Sequence, residues 1–141
     1  MLTEQNKAVV RRFWEEFSLS VVDELFVPNY VLHDPALPPE LQRDREAYKQ
    51  LVTMFRTGFP DIKVTVEDLV AEGEKVVARW TWRGTNQGEF QGMPPTGKQV
   101  NGSGISIHRL ADGKIAEAWV NFDALGMLQQ LGVIPAPGQA S

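Results

Sequence analysis

The spacing of hydrophobic residues changes once along the chain, close to Pro60. Before that point apolar residues recur every three to four positions, which is the period of an amphipathic helix. Thr3 can cap a first helix, SLSVVDELF predicts a shorter second helix that ends before Pro28, and residues 44–57 predict a third. The apolar stripe of the first helix consists of Val9, Val10, Phe13, Trp14 and Phe17.

Beyond Pro60 the period becomes two, which predicts strands. The segments VTVEDLVAE and KVVARWTWRGT form one predicted hairpin that turns at Gly73-Glu74. NGSGISIHRL and KIAEAWVNF form a second, which turns at Asp112-Gly113, and residues 124–131 predict a final short helix. HDPALPPEL and GEFQGMPPTGKQ are expected to be loops. Helices followed by an antiparallel meander predict a single α+β domain over residues 1–141, with a curved sheet around the helices.

Composition narrows the possible functions. The 141 residues include no cysteine, which excludes disulfides, thiolate catalysis and zinc–cysteine sites. A net charge of −4 and the lack of a basic stripe argue against nucleic acid. No apolar run is long enough to span a bilayer and no apolar signal region is visible, so a cytoplasmic protein without membrane contact is expected. Two histidines far apart in sequence predict no metal site.

The segment EAWVNFD carries the most unusual pattern, because a tryptophan alternates with carboxylates and an amide on one face. A two-residue turn at Asp112-Gly113 predicts the cross-strand partners of this face. The predicted pairs are His108 with Glu117, Ser106 with Trp119, Gly104 with Asn121, and Gly102 with Asp123. Aromatic and polar side chains around two glycines are typical of a pocket lining, and the glycines would leave room for a ligand.

The opposite face of the same two strands is apolar. It consists of Ile105, Ile107, Ala116, Ala118, Val120 and Phe122. Such a face must lie against helices or against another subunit, because a small monomer rarely exposes that much apolar surface. We therefore expect a homodimer that forms through the sheet.

Several candidate residues also have simpler structural roles. Asp123 stands directly before a helix, where aspartate is a good N-cap. His108 could form a surface ion pair with Glu117, and Arg79 could pair across strands with Asp68. His33 and Asp34 could merely hold a turn before Pro35. Trp80 and Trp82 are more typical of a core than of a ligand platform.

Five segments together resemble a known family over roughly residues 3 to 134. They are YVLHDP, FPDIKVTVEDLVAEGEKVVARWTWRGT, GEFQGMPPTGKQV, GISIHRLADGKIAEAW and FDALGMLQQLG. The chain resembles the SnoaL-like polyketide cyclase, or ester cyclase, family, which has the nuclear transport factor 2-like (cystatin-like) fold, a cone-shaped α+β barrel. The resemblance implies a pocket between helices and sheet, no metal or organic cofactor, and frequent homodimers. It also implies that Asp123 is the proton-transfer residue.

The family's activity suggests an intramolecular aldol cyclisation of a small apolar or polycyclic carbonyl substrate. Asp123 would act as acid and base, and the expected substrate-binding residues are Trp119, Asn121, His108, Glu117, His33 and Asn86. The sequence departs from the family at GTNQG, where Asn86 stands in place of the usual histidine. An isomerase, a dehydratase, an epoxide hydrolase or a non-catalytic binding or dimerisation module remain alternatives on this fold.

Overall fold

A computed structural model of the chain describes residues 2–135. It has four α-helices, a short 3₁₀ turn at Pro39–Leu41 and five strands in this part of the chain. The elements in order are α1 (Leu2–Glu16), α2 (Leu19–Leu25), β1 (Phe26–His33), α3 (Arg45–Gly58), β2 (Lys63–Glu72), β3 (Lys75–Thr85), β4 (Gln99–Ala111), β5 (Lys114–Phe122) and α4 (Ala124–Leu131). The α+β fold predicted from the sequence is confirmed.

The helices begin where capping residues satisfy their first amide groups. Ser18 accepts a hydrogen bond from the backbone of Val21 at the start of α2, and Asp44 accepts one from Ala47 at the start of α3. Both helices lie close to their predicted positions. The predicted apolar stripe of α1 is largely buried: Val10 and Phe13 are fully covered, and the helix packs mainly against β2 and β3.

The sheet has the order β1-β5-β4-β3-β2, so its first strand in sequence lies beside its last. β1 pairs with β5 in parallel, and the other pairs are antiparallel. The expected all-antiparallel meander is therefore wrong in one respect. The segment Phe26–His33 contains Pro28, which has no N–H to donate, and strands with proline are tolerated at the edge of a sheet. β1 occupies such an edge.

Both predicted hairpin turns are confirmed. Glu72 pairs with Lys75 around Gly73-Glu74, and Ala111 pairs with Lys114 around Asp112-Gly113. Asp112 and Gly113 both have positive φ, as a two-residue hairpin turn of this type requires.

The predicted register beyond the second turn is wrong by one residue. The pairing shifts after Leu110 and Ile115, so that Ala116 is an extra residue in β5 and Arg109 lies opposite Glu117. A bulge of this kind exchanges the two faces of the strand beyond it. His108 therefore lies opposite Ala118 and not opposite Glu117.

The two faces of the second hairpin are consequently assigned differently from the prediction. Val120 is buried and Phe122 partly buried on the inner side of the sheet, whereas Ile105 and Ile107 remain exposed on the outer side. The predicted single apolar face, which combined all four, does not exist.

Tryptophan rings occupy the space beside Gly102 and Gly104, contrary to the prediction that these glycines leave room for a ligand. Gly102 pairs with Trp82 and Gly104 with Trp80. A Cβ at residue 102 would lie 2.5 Å from the indole nitrogen of Trp82, and one at residue 104 would collide with the ring of Trp80. The absence of side chains at these glycines lets the two indoles lie flat on the inner side of the sheet.

Candidate functional site

An apolar pocket lies between the helices and the inner face of the sheet. The empty space of the pocket, including its open mouth, amounts to about 530 Å³. Only about 50 Å³ of this space is wide enough to hold the centre of a water molecule. Ligand pockets usually hold roughly 300–1,000 Å³, so a large ligand has to displace some of the lining side chains. The lining residues are Trp14, Phe17, Leu32, Asp34, Leu37, Tyr48, Leu51, Phe55, Ile62, Val64, Trp80, Trp82, Val120 and Phe122.

Asp34 contributes the one carboxyl group to this lining within residues 2–135. The strand β1 ends at His33, and its side chains alternate between buried and exposed, so that Tyr30 and Leu32 face inward. Asp34 continues this alternation and is only 5% exposed. The end of β1 thus directs an acidic side chain into an otherwise apolar pocket.

Hydrogen bonds hold the loop that follows β1. The Oδ1 atom of Asp34 accepts a hydrogen bond from the backbone of Ala36 at 2.9 Å, and the backbone of Asp34 donates to Oε1 of Gln42 at 2.9 Å. The Nε2 atom of Gln42 donates to the carbonyl oxygen of Leu37 at 2.7 Å. The predicted turn at Asp34 is confirmed, and the same contacts keep its carboxyl group in the pocket.

Burial raises the pKa of the Asp34 carboxyl above its ordinary value of 3.8, and the hydrogen bond from Ala36 only partly opposes this shift. The negative charge of Asp34 in turn contributes to a raised pKa of the Tyr48 phenol, for which burial is the largest cause. Tyr48 therefore stays protonated and can donate a hydrogen bond inside the pocket. A carboxyl group with a raised pKa beside a neutral phenol is suited to proton transfer.

Two stacked indoles, Trp14 from α1 and Trp80 from β3, form a wall of the pocket where this helix packs against the sheet. The ring centroids of Trp14 and Trp80 are 4.3 Å apart, with an angle of 26° between the planes. Behind them, the indole nitrogen of Trp14 donates to Nε2 of His108 at 3.1 Å, and that of Trp80 donates to Oγ of Ser106 at 3.2 Å. Oγ of Ser106 lies 2.8 Å from the same Nε2 atom.

His108 is fully buried behind this wall and does not line the pocket. Burial lowers its pKa from 6.5 to about 3, so the imidazole is neutral at physiological pH. The structure does not bring His108 together with Glu117, and a surface ion pair between them is excluded by the register.

The outer face of the sheet brings together three other predicted binding residues. Nε2 of His33 lies 2.7 Å from one carboxylate oxygen of Glu117, and Arg109 donates to the other at 3.0 Å. The ring of His33 stacks on Trp119 with 5.2 Å between centroids. These hydrogen bonds lower the pKa of Glu117. His33, Glu117, Trp119 and the exposed Asn121 therefore lie outside the apolar pocket.

Asp123 is exposed and caps α4. This is the structural role that its position before a helix predicts. Its Oδ1 atom accepts a hydrogen bond from the backbone of Gly126 at 2.9 Å, and its backbone donates to the carbonyl oxygen of Ser103 at 3.0 Å. The side chain borders an open polar depression on the outer face, with about 1150 Å³ of empty space including open solvent, together with Thr81 and Arg83. The apolar pocket does not include it.

Asn86 is buried and fully hydrogen-bonded to the protein. Its Nδ2 atom donates to the carbonyl oxygens of Gly58 and Gly88, and its Oδ1 atom accepts from the backbone and the hydroxyl of Thr96. These four bonds use the whole hydrogen-bonding capacity of the amide. Asn86 fixes the loop before β4 and lies outside the pocket lining.

The sequence contained a signal for Asp34 that the interpretation of HDPALPPEL as a loop missed. Tyr30, Leu32 and Asp34 are spaced two residues apart, so a strand that buries the first two also buries the third. In residues 2–135, no helix is long and apolar enough to cross a membrane, and no group of three His, Asp or Glu side chains could hold a metal ion.

An α+β fold whose helices and curved sheet enclose an aromatic pocket with a buried carboxyl group is an architecture in which small-molecule sites are commonly found. The family model described as SnoaL-like polyketide cyclase matches residues 7–131. The chain therefore belongs to this family.

Individual relatives agree with this family. The chain is 33% identical over 132 residues to the aklanonic acid methyl ester cyclase DauD of Streptomyces sp. (strain C5), covering 88% of this chain and 80% of DauD. The crystal structure of IdmH from Streptomyces antibioticus, described as a polyketide cyclase, is 34% identical, with a TM-score of 0.76 over 94% of this chain and 100% of IdmH. AclR from Streptomyces galilaeus, described as a hydroxylase, is 26% identical, with a TM-score of 0.83 over 97% of this chain and 87% of AclR.

Proposed function

We propose that the protein catalyses an intramolecular aldol cyclisation of a polycyclic carbonyl compound of polyketide type, without a cofactor, in the apolar pocket. The family supports a cyclase, and the cyclase DauD is named for a methyl ester substrate. The observation that carries the proposal is the Asp34 carboxyl group, which is buried in an aromatic pocket and has a raised pKa.

In the proposed reaction, the Asp34 carboxylate removes a proton from a substrate carbon flanked by carbonyl groups. The resulting enolate carbon forms a bond to a second carbonyl carbon of the same molecule, whose π electrons move to its oxygen. The protonated Asp34 then returns the proton to this alkoxide, so that the product is an isomer of the substrate. A carboxyl group with a raised pKa suits both halves of the reaction, because it is a stronger base and still a usable acid.

Other groups in the pocket would assist this chemistry. The phenol of Tyr48 lines the pocket and can donate a hydrogen bond to a carbonyl oxygen on which negative charge develops. The stacked indoles of Trp14 and Trp80 offer flat apolar surface to a ring system. Water excluded by these side chains would otherwise compete for the enolate.

Asp123 is the alternative proton-transfer group, and a matched pair of variants separates the two. Asp34→Asn and Asp123→Asn each replace a carboxylate by an amide of the same shape, and the amide of residue 123 can still cap α4. We expect Asp34→Asn to lower kcat on aklanonic acid methyl ester by about 10²–10⁴-fold, the usual contribution of general acid–base catalysis. Asp123→Asn should change it by less than about twofold, the effect of a cap that stays in place.

The reverse result, with activity lost only in Asp123→Asn, would overturn the proposed role of Asp34. If the unmodified protein binds the ester tightly but does not convert it, the pocket belongs to a binding module. Binding would be followed by the quenching of tryptophan fluorescence, since three of the four tryptophans line the pocket.

We also propose that the protein forms a homodimer through the outer face of the sheet. Val77, Ile107 and Trp119 lie side by side on β3, β4 and β5, and Ile105 is 52% exposed beside them. Acidic and basic groups, including Glu117 and its partner Arg109, surround this apolar surface, so a second copy could match it in charge. Light scattering at micromolar concentration should give the mass of a dimer, and Ile107→Lys should give a monomer. A monomeric unmodified protein would contradict the proposal.

A further inference from the structure

Two neighbouring polar side chains behind the pocket wall, Ser106 and His108, accept hydrogen bonds from the two stacked indoles. Trp14 and Trp80 come from different elements, α1 and β3, yet their N–H groups end on one pair of neighbouring side chains in β4, Ser106 and His108. Both members of the pair are 1% exposed. A single buried unit therefore fixes the orientation of two side chains that line the pocket.

The direction of each hydrogen bond follows from the chemistry of the groups. A tryptophan N–H can only donate, so Nε2 of His108 must accept the bond from Trp14 and carries no proton. Ser106 accepts from Trp80, which leaves its hydroxyl hydrogen to donate to the same Nε2 atom. The imidazole proton then lies on Nδ1, which is buried without a partner in the described structure.

This arrangement turns both indole N–H groups away from the pocket. The two rings face each other, with 4.3 Å between centroids and 26° between planes, so a ligand can meet only the edges of this stacked pair or the ring face that the pair leaves open to the pocket. The edge of the His108 ring also packs against Trp14, with 5.9 Å between centroids and 71° between planes.

We propose that His108 and Ser106 are positioning residues that hold Trp14 and Trp80 as a rigid stacked pair, and that the ring face which this pair leaves open to the pocket selects planar ring systems over puckered ones. The selectivity rests on the proposed use of the pocket for polycyclic ligands. The orientation of the indoles does not depend on any reaction, and it can be measured without turnover.

The test uses circular dichroism and two tricyclic carboxylates with the same carbon skeleton. Stacked indoles give an exciton couplet, which reports their mutual orientation. Anthraquinone carboxylate is the flat probe and the fully saturated perhydroanthracene carboxylate the puckered probe, and both affinities are measured on the folded protein. His108→Phe keeps a flat ring but removes the acceptor, whereas His108→Gln restores a side-chain oxygen that can accept both bonds. Val76→Ala, in the buried β3 residue opposite His108, is the control for a loss of stability alone.

We expect His108→Phe to lose the couplet and to bind the flat probe about two- to tenfold more weakly, the size of an aromatic stacking contribution. Its affinity for the puckered probe should be unchanged. His108→Gln should recover both signals, and Val76→Ala should lower the melting temperature without affecting either.

If His108→Phe does not fold, Ser106→Ala tests the same point, because it releases only the indole of Trp80. A variant that keeps the couplet and the preference for the flat probe while only its melting temperature falls would overturn the proposal. An unmodified protein that binds both probes equally would overturn the claim of selectivity. Failure of the cyclisation alone would leave the couplet and the binding preference in place, so the two proposals fail separately.

Discussion

Replacing Asp34 by asparagine should make the protein more stable at neutral pH, although it is expected to remove activity. The folded-state pKa of Asp34 is raised above 3.8 because the group is buried, so its ionised form is less favourable in the folded protein than in the unfolded chain. Stability is therefore lost as the pH rises from 3.8 through the folded-state pKa. Below 3.8 both states are protonated and the loss disappears.

The size of the effect follows from the shift. Each unit by which the pKa is raised costs about 1.4 kcal/mol at a pH above the folded-state value, and 1 kcal/mol moves the melting temperature of a domain of this size by about 2–8 °C. Asparagine avoids this cost, and its side-chain oxygen can still accept the hydrogen bond from Ala36, which is 2.9 Å long in the structure.

The assay is the melting temperature of Asp34→Asn and of the unmodified protein, measured by differential scanning calorimetry from pH 3 to pH 8. The variant should have the higher melting temperature at pH 8, and the difference should shrink towards zero as the pH falls to 3.8. Asp123→Asn serves as the control and should follow the unmodified protein, since its side chain is exposed and remains a cap. If Asp34→Asn is less stable than the unmodified protein by the same amount at every pH, then ionisation of the buried carboxyl group does not destabilise the fold and the prediction is wrong.

Three further predictions concern residues outside the pocket. Asn86→Ala should reduce the free energy of unfolding by about 2–4 kcal/mol, because it leaves several buried groups without partners, whereas Asn121→Ala, at an exposed position, should have little effect in the same urea titration. The unmodified protein should lose stability as the pH falls from 6.5 towards 3, because His108 takes up a proton in the unfolded chain at a higher pH than in the folded protein. The loss of unfolding free energy amounts to roughly 5 kcal/mol. In a comparison of urea midpoints, His108→Phe should lack this part of the acid sensitivity. Gly104→Ala should displace Trp80, reduce the exciton couplet and cost about 1–3 kcal/mol through overpacking; an unchanged couplet would contradict the close contact.

The elements of the fold could be predicted because their signals are local. The period of the apolar residues, the caps and the two hairpin turns all depend on a few neighbouring positions, and α4 has its predicted bounds. The edge strand β1 was missed because Pro28 interrupts its pattern, and because its parallel partner β5 lies far away in sequence. No local signal indicates which strand a lone edge strand will join.

The prediction of which face of β5 turns inward was wrong because of a single extra residue. The extra residue at Ala116 in β5 reverses which side chains face the helices, and neither the turn nor the alternation of EAWVNFD reveals it. Asp34 and the indoles of Trp80 and Trp82 define the pocket in place of the predicted face. The role of Asn86 in fixing the loop before β4 also depends on a hydrogen bond to the carbonyl oxygen of Gly58, which lies 28 residues away in the sequence.

The most direct test of the account is a crystal structure of the protein with anthraquinone carboxylate bound. We expect the ring system to lie in the apolar pocket against Trp14 and Trp80, with one of its oxygen atoms within hydrogen-bonding distance of Asp34 or Tyr48. Lining side chains such as Phe55 should have moved to admit it, since the pocket as it stands is narrow. A ligand bound on the outer face beside Asp123, with the inner pocket unchanged, would contradict the account.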